Sequence, residues 1–287
     1  MTGRAVTRCL SAALVVLAVA MSVYAQAPSF SSSVEAVRVD VLVTDRGRPV
    51  LGLGPNDFEI RDNGVLQDVE LASYEEIPLN VILALDMSAS VDTERLDHLR
   101  GAGRAVLDGL KDHDQAGLVT FSQFVSQGAP LTADVGLVRD ALDRVIGVGQ
   151  TSLIDAAFTG MMIGESDVGR SLLIVFSDGI DTASWLTAEH VLAIAKRCDV
   201  VVYGVEVGRR RQSFLRDLSD VTGGRSIEIE STRDIRASFE SILQEFRQRY
   251  LVSYSPKSVA RDGWHRLEVN VKGRSVTVRA RPGYLAR

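Results

Sequence analysis

Four short apolar runs constrain the fold of this chain more than any other feature. They span residues 81–85, 117–121, 172–176 and 200–207 and are rich in Val, Ile, Leu and Phe. Apolar runs of this length, without strict alternation, indicate strands that are covered on both faces. Because segments with apolar residues at helical spacing separate the runs, the chain is predicted to form a doubly wound α/β domain. Its sheet should be mostly parallel, with helices on both faces.

The two flanks of this domain carry a different pattern. Val occupies every second position of residues 37–43, and Asp-Asn-Gly at residues 62–64 is a strong hairpin turn. After the domain, residues 250–255, 266–271 and 275–281 also resemble strands. Neither flank is long enough to bury a core alone. We therefore predict that they combine into one small β-sandwich-like module with the α/β domain inserted in it.

The N-terminus has the features of an export signal. Arg4 and Arg8 precede an apolar run at residues 10–23, and small residues stand before Gln26. This pattern predicts a signal peptide that is cleaved, so the protein is expected to be secreted or periplasmic. An uncleaved N-terminal anchor is the alternative. No second apolar run reaches membrane length, so no stable membrane span is expected after cleavage.

The predicted organisation has four parts: a signal peptide (1–25), an N-terminal β segment (26–77), the α/β domain (78–249) and a C-terminal β segment (250–287) that pairs with the first β segment.

The formal net charge of −5 over 287 residues argues against nucleic acid as a partner, because nucleic-acid binding needs a clustered basic surface.

Three polar segments are placed to form one site. Residues 86–90 (Asp-Met-Ser-Ala-Ser) and 177–181 (Ser-Asp-Gly-Ile-Asp) follow predicted core strands, and residues 149–156 lead into a helix. In a parallel sheet such segments meet at the carboxyl edge, where ligands bind. Carboxylates and hydroxyls without His or Cys suit Mg²⁺ best, with Mn²⁺ or Ca²⁺ possible, and do not suit zinc or copper. The candidate ligands of this one divalent cation are Asp86, Ser88, Ser90, Thr151 and Asp178.

The order and spacing of these residues resemble the metal-ion-dependent adhesion site of von Willebrand factor type A domains. The resemblance covers roughly the α/β domain. It implies that Ser88, Ser90 and Thr151 touch the metal directly and that Asp86 and Asp178 act mostly through water. It also implies a protein partner that presents an Asp or Glu side chain to the metal. The function predicted in this way is metal-dependent protein binding or adhesion.

Two further carboxylates lie close in sequence but are not counted as ligands. Asp155 is expected to brace the Thr151 loop or cap a helix. Asp181 is expected to face solvent, with support of the metal ligands as the alternative. The flanks, at residues 39–45, 52–58, 249–254 and 278–284, resemble the type A-related exported proteins that are common in acidobacteria.

Enzyme functions are weighed against binding. The chain has no Gly-x-Ser-x-Gly motif, and its four His residues are expected in helices and loops, none after a core strand. No enzymatic activity is therefore expected. The alternatives are a structural or envelope-assembly component with a vacant metal site and, less favoured, a Mg²⁺-dependent hydrolase. By resemblance, a last helix at about residues 232–249 would transmit ligand binding to the β module.

Overall fold

The computed structural model describes residues 36–73, 77–88, 93–145, 149–165, 168–208 and 213–286. The chain from Ala36 onward forms one compact unit. The signal peptide expected at residues 1–25 and the candidate ligand Ser90 lie outside the described residues.

The N-terminal flank forms short antiparallel strands. Asn63 and Gly64 both adopt positive φ, at 46° and 82°, and make the tight turn that the Asp-Asn-Gly sequence predicts. The strands are β1 (Val37–Asp45), β2 (Arg48–Pro49), β3 (Phe58–Asp62), β4 (Val65–Gln67) and β5 (Leu71–Ser73).

Strands and helices alternate in the middle of the chain. The strands are β6 (Leu79–Asp86), β7 (Gln115–Phe121), β8 (Val125–Thr132), β9 (Arg170–Ser177), β10 (Val200–Val207) and β11 (Ser226–Ile229). The helices are α1 (Thr93–Asp108), α2 (Val135–Asp143), α3 (Leu153–Gly164), α4 (Ala188–Ala195), α5 (Ser213–Thr222) and α6 (Ile235–Arg247).

These strands form one six-stranded sheet in the order β11-β10-β9-β6-β7-β8. Every neighbouring pair is parallel except β7 with β8. All residues of β6 and β9 are buried, as expected for strands covered on both faces. Helices α1, α2 and α6 pack on one face and α3, α4 and α5 on the other. The predicted doubly wound, mostly parallel fold is confirmed.

Two edge strands, β8 and β11, are missing from the prediction. Only one of the eight residues of β8 is buried, and the strand contains Gly128 and Pro130. Such a sequence has no apolar run, and proline is tolerated in a sheet mainly on an edge strand. Within the described residues, no helix is long and apolar enough to cross a membrane.

The C-terminal flank adds four strands, which pair with the N-terminal flank. One sheet has the order β14-β1-β12-β5, with β2 also beside β1, and the other has the order β15-β13-β3-β4. Apolar residues of both flanks share one core. The β-sandwich-like module that the sequence predicts is therefore present. The new strands are β12 (Tyr250–Tyr254), β13 (Trp264–Val271), β14 (Thr277–Arg279) and β15 (Gly283–Leu285).

A buried polar cluster joins the two flanks inside this module. Asp62, at the end of β3, is fully buried and accepts three hydrogen bonds from the C-terminal flank. The donors are His265 Nδ1 at 2.7 Å, the Tyr254 hydroxyl at 2.8 Å and the Tyr284 hydroxyl at 3.0 Å. The expectation that all four His lie in helices and loops is wrong for His265, which is in β13.

Buried arginines connect the module to the α/β domain. Arg170 begins β9 and forms an ion pair with Asp40 of β1, and its guanidinium lies over the Phe246 ring. Arg249, which is fully buried, donates to the Tyr203 hydroxyl and the Gly223 carbonyl of the α/β domain and, at 3.5 Å, to the Asp40 carbonyl of β1. Because an unpaired buried charge is costly, these contacts tie the module to the end of the sheet where β9 begins.

Candidate metal centre

The loops after β6 and β9 lie side by side at the carboxyl edge of the sheet. Leu85 pairs with Phe176 in parallel register, so Asp86 and Ser177 end their strands at the same level. Asp178 follows directly. The sheet topology thus brings together the polar segments that begin at Asp86 and at Ser177.

Asp86 is the most deeply buried of the four candidate ligands that the structure describes, with no exposed surface. One carboxylate oxygen accepts a hydrogen bond from the Ser88 backbone N–H at 2.9 Å. The other accepts one from the Ser177 hydroxyl at 2.7 Å. These two bonds hold the carboxylate in a fixed orientation at the end of β6.

Burial raises the pKa of the Asp86 carboxyl above its ordinary value, because the charged form loses hydration. The hydrogen bonds from Ser177 and Ser88 lower the pKa, whereas the negative charge of Asp178 raises it. No ion pair to Asp86 is found in the described part of the chain. A divalent cation would stabilise the charged form of Asp86, so the residues present fit such a group.

The structure brings Thr151 to the same edge. Its carbonyl accepts hydrogen bonds from the backbone N–H groups of Thr182 at 2.8 Å and Ala183 at 3.0 Å. A Cβ at Gly179 would stand 3.3 Å from the Thr151 hydroxyl oxygen, so glycine permits this close approach. Thr151 is buried and directly precedes Ser152 and α3.

Asp178 has a neighbour that the sequence analysis missed. Arg95, in the first turn of α1, approaches the Asp178 carboxylate at 2.8 Å. The Asp178 side chain is 4% exposed and that of Arg95 is 41% exposed. The contact could not be predicted from the sequence, because it links residues 83 positions apart. It supplies one positive charge to a carboxylate that the sequence predicts only as a metal ligand.

The carboxylates Asp155 and Asp181 brace the surrounding loops. Asp155 accepts hydrogen bonds from the N–H groups of Trp185 and Leu186, both at 2.9 Å. Asp181 accepts from the Ile154 N–H at 3.0 Å, near the start of α3. Asp155 therefore holds the loop at Trp185 and Leu186 and not the Thr151 loop that the sequence predicted it to brace. Asp181 does not simply face solvent, since it is half-buried and bonded.

A further carboxylate at this edge, Glu206, is not predicted from the sequence. It pairs with Ser177 across β9 and β10, is buried, and accepts a hydrogen bond from the Ser226 hydroxyl at 2.9 Å. Over the described ranges, no group of three or more His, Cys, Asp or Glu is placed to hold a metal. A metal at this edge would therefore depend on serine and threonine hydroxyls as well as on carboxylates.

Comparison with known proteins identifies the domain. The family model of the von Willebrand factor type A domain matches residues 80–243, which is more than half of the chain. Inter-alpha-trypsin inhibitor heavy chain H4 of Bos taurus is 29% identical over 123 residues, covering 38% of this chain. The match spans only 13% of that relative's length.

Solved structures show the same fold. Proximal thread matrix protein 1 from the mussel byssus, solved with a zinc-occupied MIDAS motif, has a TM-score of 0.55 and 16% identity. That match covers 63% of this chain and 48% of the mussel protein. A von Willebrand factor type A protein from Catenulispora acidiphila has a TM-score of 0.54 and 14% identity, covering 85% and 76% of the two chains.

Proposed function

The chain belongs to the von Willebrand factor type A domain family, and we propose that it is an exported, metal-dependent protein-binding module. Domains of this family commonly bind protein partners through a metal-ion-dependent adhesion site. In the proposed mechanism one divalent cation captures an acidic side chain of a partner protein. The proposed ligands are Asp86, Ser88, Ser90, Thr151 and Asp178.

The buried carboxylate of Asp86 is the observation that carries this proposal. It is fully buried beside Asp178, and its two described hydrogen bonds come from neutral donors. Two nearby carboxylates repel each other, and a cation between them would offset that repulsion. Ser177 and the backbone of Ser88 orient Asp86 for this purpose.

The donor set favours a hard cation and an acidic partner. Carboxylates, hydroxyls and water are the ligands that Mg²⁺ prefers, and Mn²⁺ and Ca²⁺ accept the same set. When bound, a cation held largely by neutral hydroxyls keeps a net positive charge that attracts a carboxylate. Because the mussel protein holds zinc in its MIDAS motif, zinc belongs among the ions to be tested.

The contact between Arg95 and Asp178 supports a second candidate function. A guanidinium 2.8 Å from the carboxylate partly neutralises it without any metal. In that case the protein would be a structural or envelope-assembly component whose metal site stays vacant. The two candidates differ in whether metal ions stabilise the fold.

Binding rather than catalysis is proposed because three of the four His side chains contact residues outside the proposed ligand set. His98 contacts Thr232, His190 contacts Thr187, and His265 contacts Asp62. A catalytic role would require phosphoester turnover that Asp86→Ala abolishes.

Export is proposed from the signal-like residues 1–25, and N-terminal sequencing of secreted protein should then begin at Gln26.

A thermal unfolding series tests the metal site. Protein lacking residues 1–25 is stripped of metal and titrated with Mg²⁺, Mn²⁺, Ca²⁺ and Zn²⁺. A ligand at a hundred times its Kd adds about 2.7 kcal/mol of stability. For a chain of this size that corresponds to roughly 5–10 °C in Tm. Asp178→Ala and Ser88→Ala should lose the saturable shift.

Asp68→Ala is the matched control. Asp68 is 81% exposed, and its carboxylate pairs with Lys257 in the β module. This variant should keep the full metal-induced shift. If no ion stabilises the wild-type protein, the vacant-site structural role replaces metal-dependent binding.

A further inference from the structure

Two aromatic side chains stand exposed beside the candidate metal centre. Trp185 is 90% exposed and Phe124 is 71% exposed. Both line one open groove with a volume of about 300 Å³. Neighbouring exposed aromatic side chains make this groove a candidate interaction surface. The remaining lining residues are Gln123, Val125, Ser152, Asp155, Phe158, Thr159 and Leu186.

The loop that carries Trp185 is held in place. The N–H groups of Trp185 and Leu186 both donate to Asp155, at 2.9 Å. One residue earlier, the Ser184 hydroxyl donates to Asp181. These bonds fix the backbone on either side of an exposed Trp. Because the backbone of the loop is already ordered, binding at Trp185 costs less conformational entropy, and Trp is enriched among the residues that dominate binding energy.

Both aromatic loops are bonded to the Thr151–Ser152 segment. On one side, the Thr151 carbonyl accepts from the N–H groups of Thr182 and Ala183 in the Trp185 loop. On the other side, the Ser152 hydroxyl donates to the Gln123 carbonyl at 3.0 Å, next to Phe124. The groove is thus continuous with the loop that contributes Thr151 to the proposed metal site. A partner segment that reaches the metal over this loop would pass across the groove.

The chemistry of the groove defines what it accepts. None of its lining residues in the described part of the chain is Lys or Arg. Its single carboxylate, Asp155, is already occupied by two backbone N–H groups. The groove therefore does not favour a second acidic side chain of the partner, and it favours an uncharged, bulky apolar one.

We infer that the partner presents an acidic residue to the metal together with a bulky apolar residue that inserts between Phe124 and Trp185. The second contact gives specificity that a single carboxylate–metal bond lacks, because many proteins expose acidic residues. This inference rests on the proposed function, since the acidic residue is the one that the metal captures.

A displayed peptide library tests the inference. Each peptide carries one fixed central Asp between randomised residues, and selection is run in parallel with Mn²⁺ and with EDTA. Peptides enriched only with Mn²⁺ should carry a large apolar residue on one side of the Asp. Trp185→Ala and Phe124→Ala should each weaken the binding of such a peptide, by roughly 30-fold for Trp185. The truncated side chains are exposed, so both variants should fold normally.

Leu66→Ala is the matched control, because Leu66 is 56% exposed but lies in the β module. It should bind the selected peptide as the wild type does. Mn²⁺-dependent peptides that show no apolar preference, or that bind Trp185→Ala normally, would refute the inferred role of the groove. They would leave the proposed metal function intact. Peptides that need Trp185 but bind equally in EDTA would overturn both the inference and the metal function. If Trp185→Ala instead dissociates a wild-type dimer in sedimentation, the groove is a self-association surface.

Discussion

Replacing Asp62 by alanine should strongly destabilise the β module. Its carboxylate accepts hydrogen bonds from His265, Tyr254 and Tyr284, and all four residues are at most 9% exposed. Asp62→Ala would leave three buried donors without their acceptor. Each unsatisfied buried group costs about 1–3 kcal/mol, although relaxation of the structure recovers a part. We expect a loss of about 3–5 kcal/mol, as is typical when one partner of a buried pair is removed.

Urea unfolding followed by tryptophan fluorescence measures this loss, because Trp264 lies beside His265 in β13. With a slope of about 2–3 kcal/mol per M, the urea midpoint should fall by about 1–2.5 M. Tyr254→Phe removes one bond and should cost only about 0.5–1.5 kcal/mol. The exposed control Asp68→Ala should leave the midpoint unchanged. The reasoning is refuted if Asp62→Ala costs less than Tyr254→Phe.

Three further perturbations have expected outcomes. Arg95→Gln removes the guanidinium beside Asp178 and should raise Mn²⁺ affinity about 2- to 5-fold in calorimetric titration. Arg170→Ala leaves the largely buried Asp40 without its ion-pair partner and should lower the unfolding free energy in urea by about 3–5 kcal/mol. Burial raises the pKa of Tyr284 from 10.0 to about 12. The folded state therefore keeps a proton that the unfolded state releases, so stability in urea should fall as pH rises from about 10 to 12.

Each of these predictions has its own control. Arg233→Gln removes an exposed charge that pairs with Glu94 and should not change Mn²⁺ affinity. Combining Arg170→Ala with Asp40→Ala should cost less than the sum of the two single changes, because neither then leaves a charge unpaired. Tyr284→Phe should make the alkaline loss of stability less steep without abolishing it, because burial also raises the pKa values of Tyr203, Tyr250 and Tyr254. An equally steep loss in that variant would contradict the assignment to Tyr284.

The sequence alone predicts the core of the α/β domain and the location of its candidate site. Apolar runs such as residues 172–176 report burial on both faces, and alternation in residues 37–43 reports burial on one. Asp86 and Asp178 follow such runs, so their place at one edge follows from parallel pairing. These features are local, and each can be read within a few residues.

Edge strands and the pairing of strands could not be predicted from such local patterns. Strand β8 is mostly exposed, so no apolar pattern marks it. Lys272 and Gly273 form a turn, with Gly273 at positive φ, but the strands around it belong to different sheets, since β13 pairs with β3 and β14 with β1. The pattern of a strand records which face is buried and does not record which other strand lies beside it.

The tertiary structure alone decided the partners of the polar side chains. It joined Arg95 to Asp178, assembled three donors around Asp62 from a segment about 200 residues away, and left Trp185 exposed on a braced loop. The reason is physical. Burial periodicity depends on neighbours along the chain, whereas an ion pair or a buried hydrogen bond depends on which distant segment packing brings within about 3 Å.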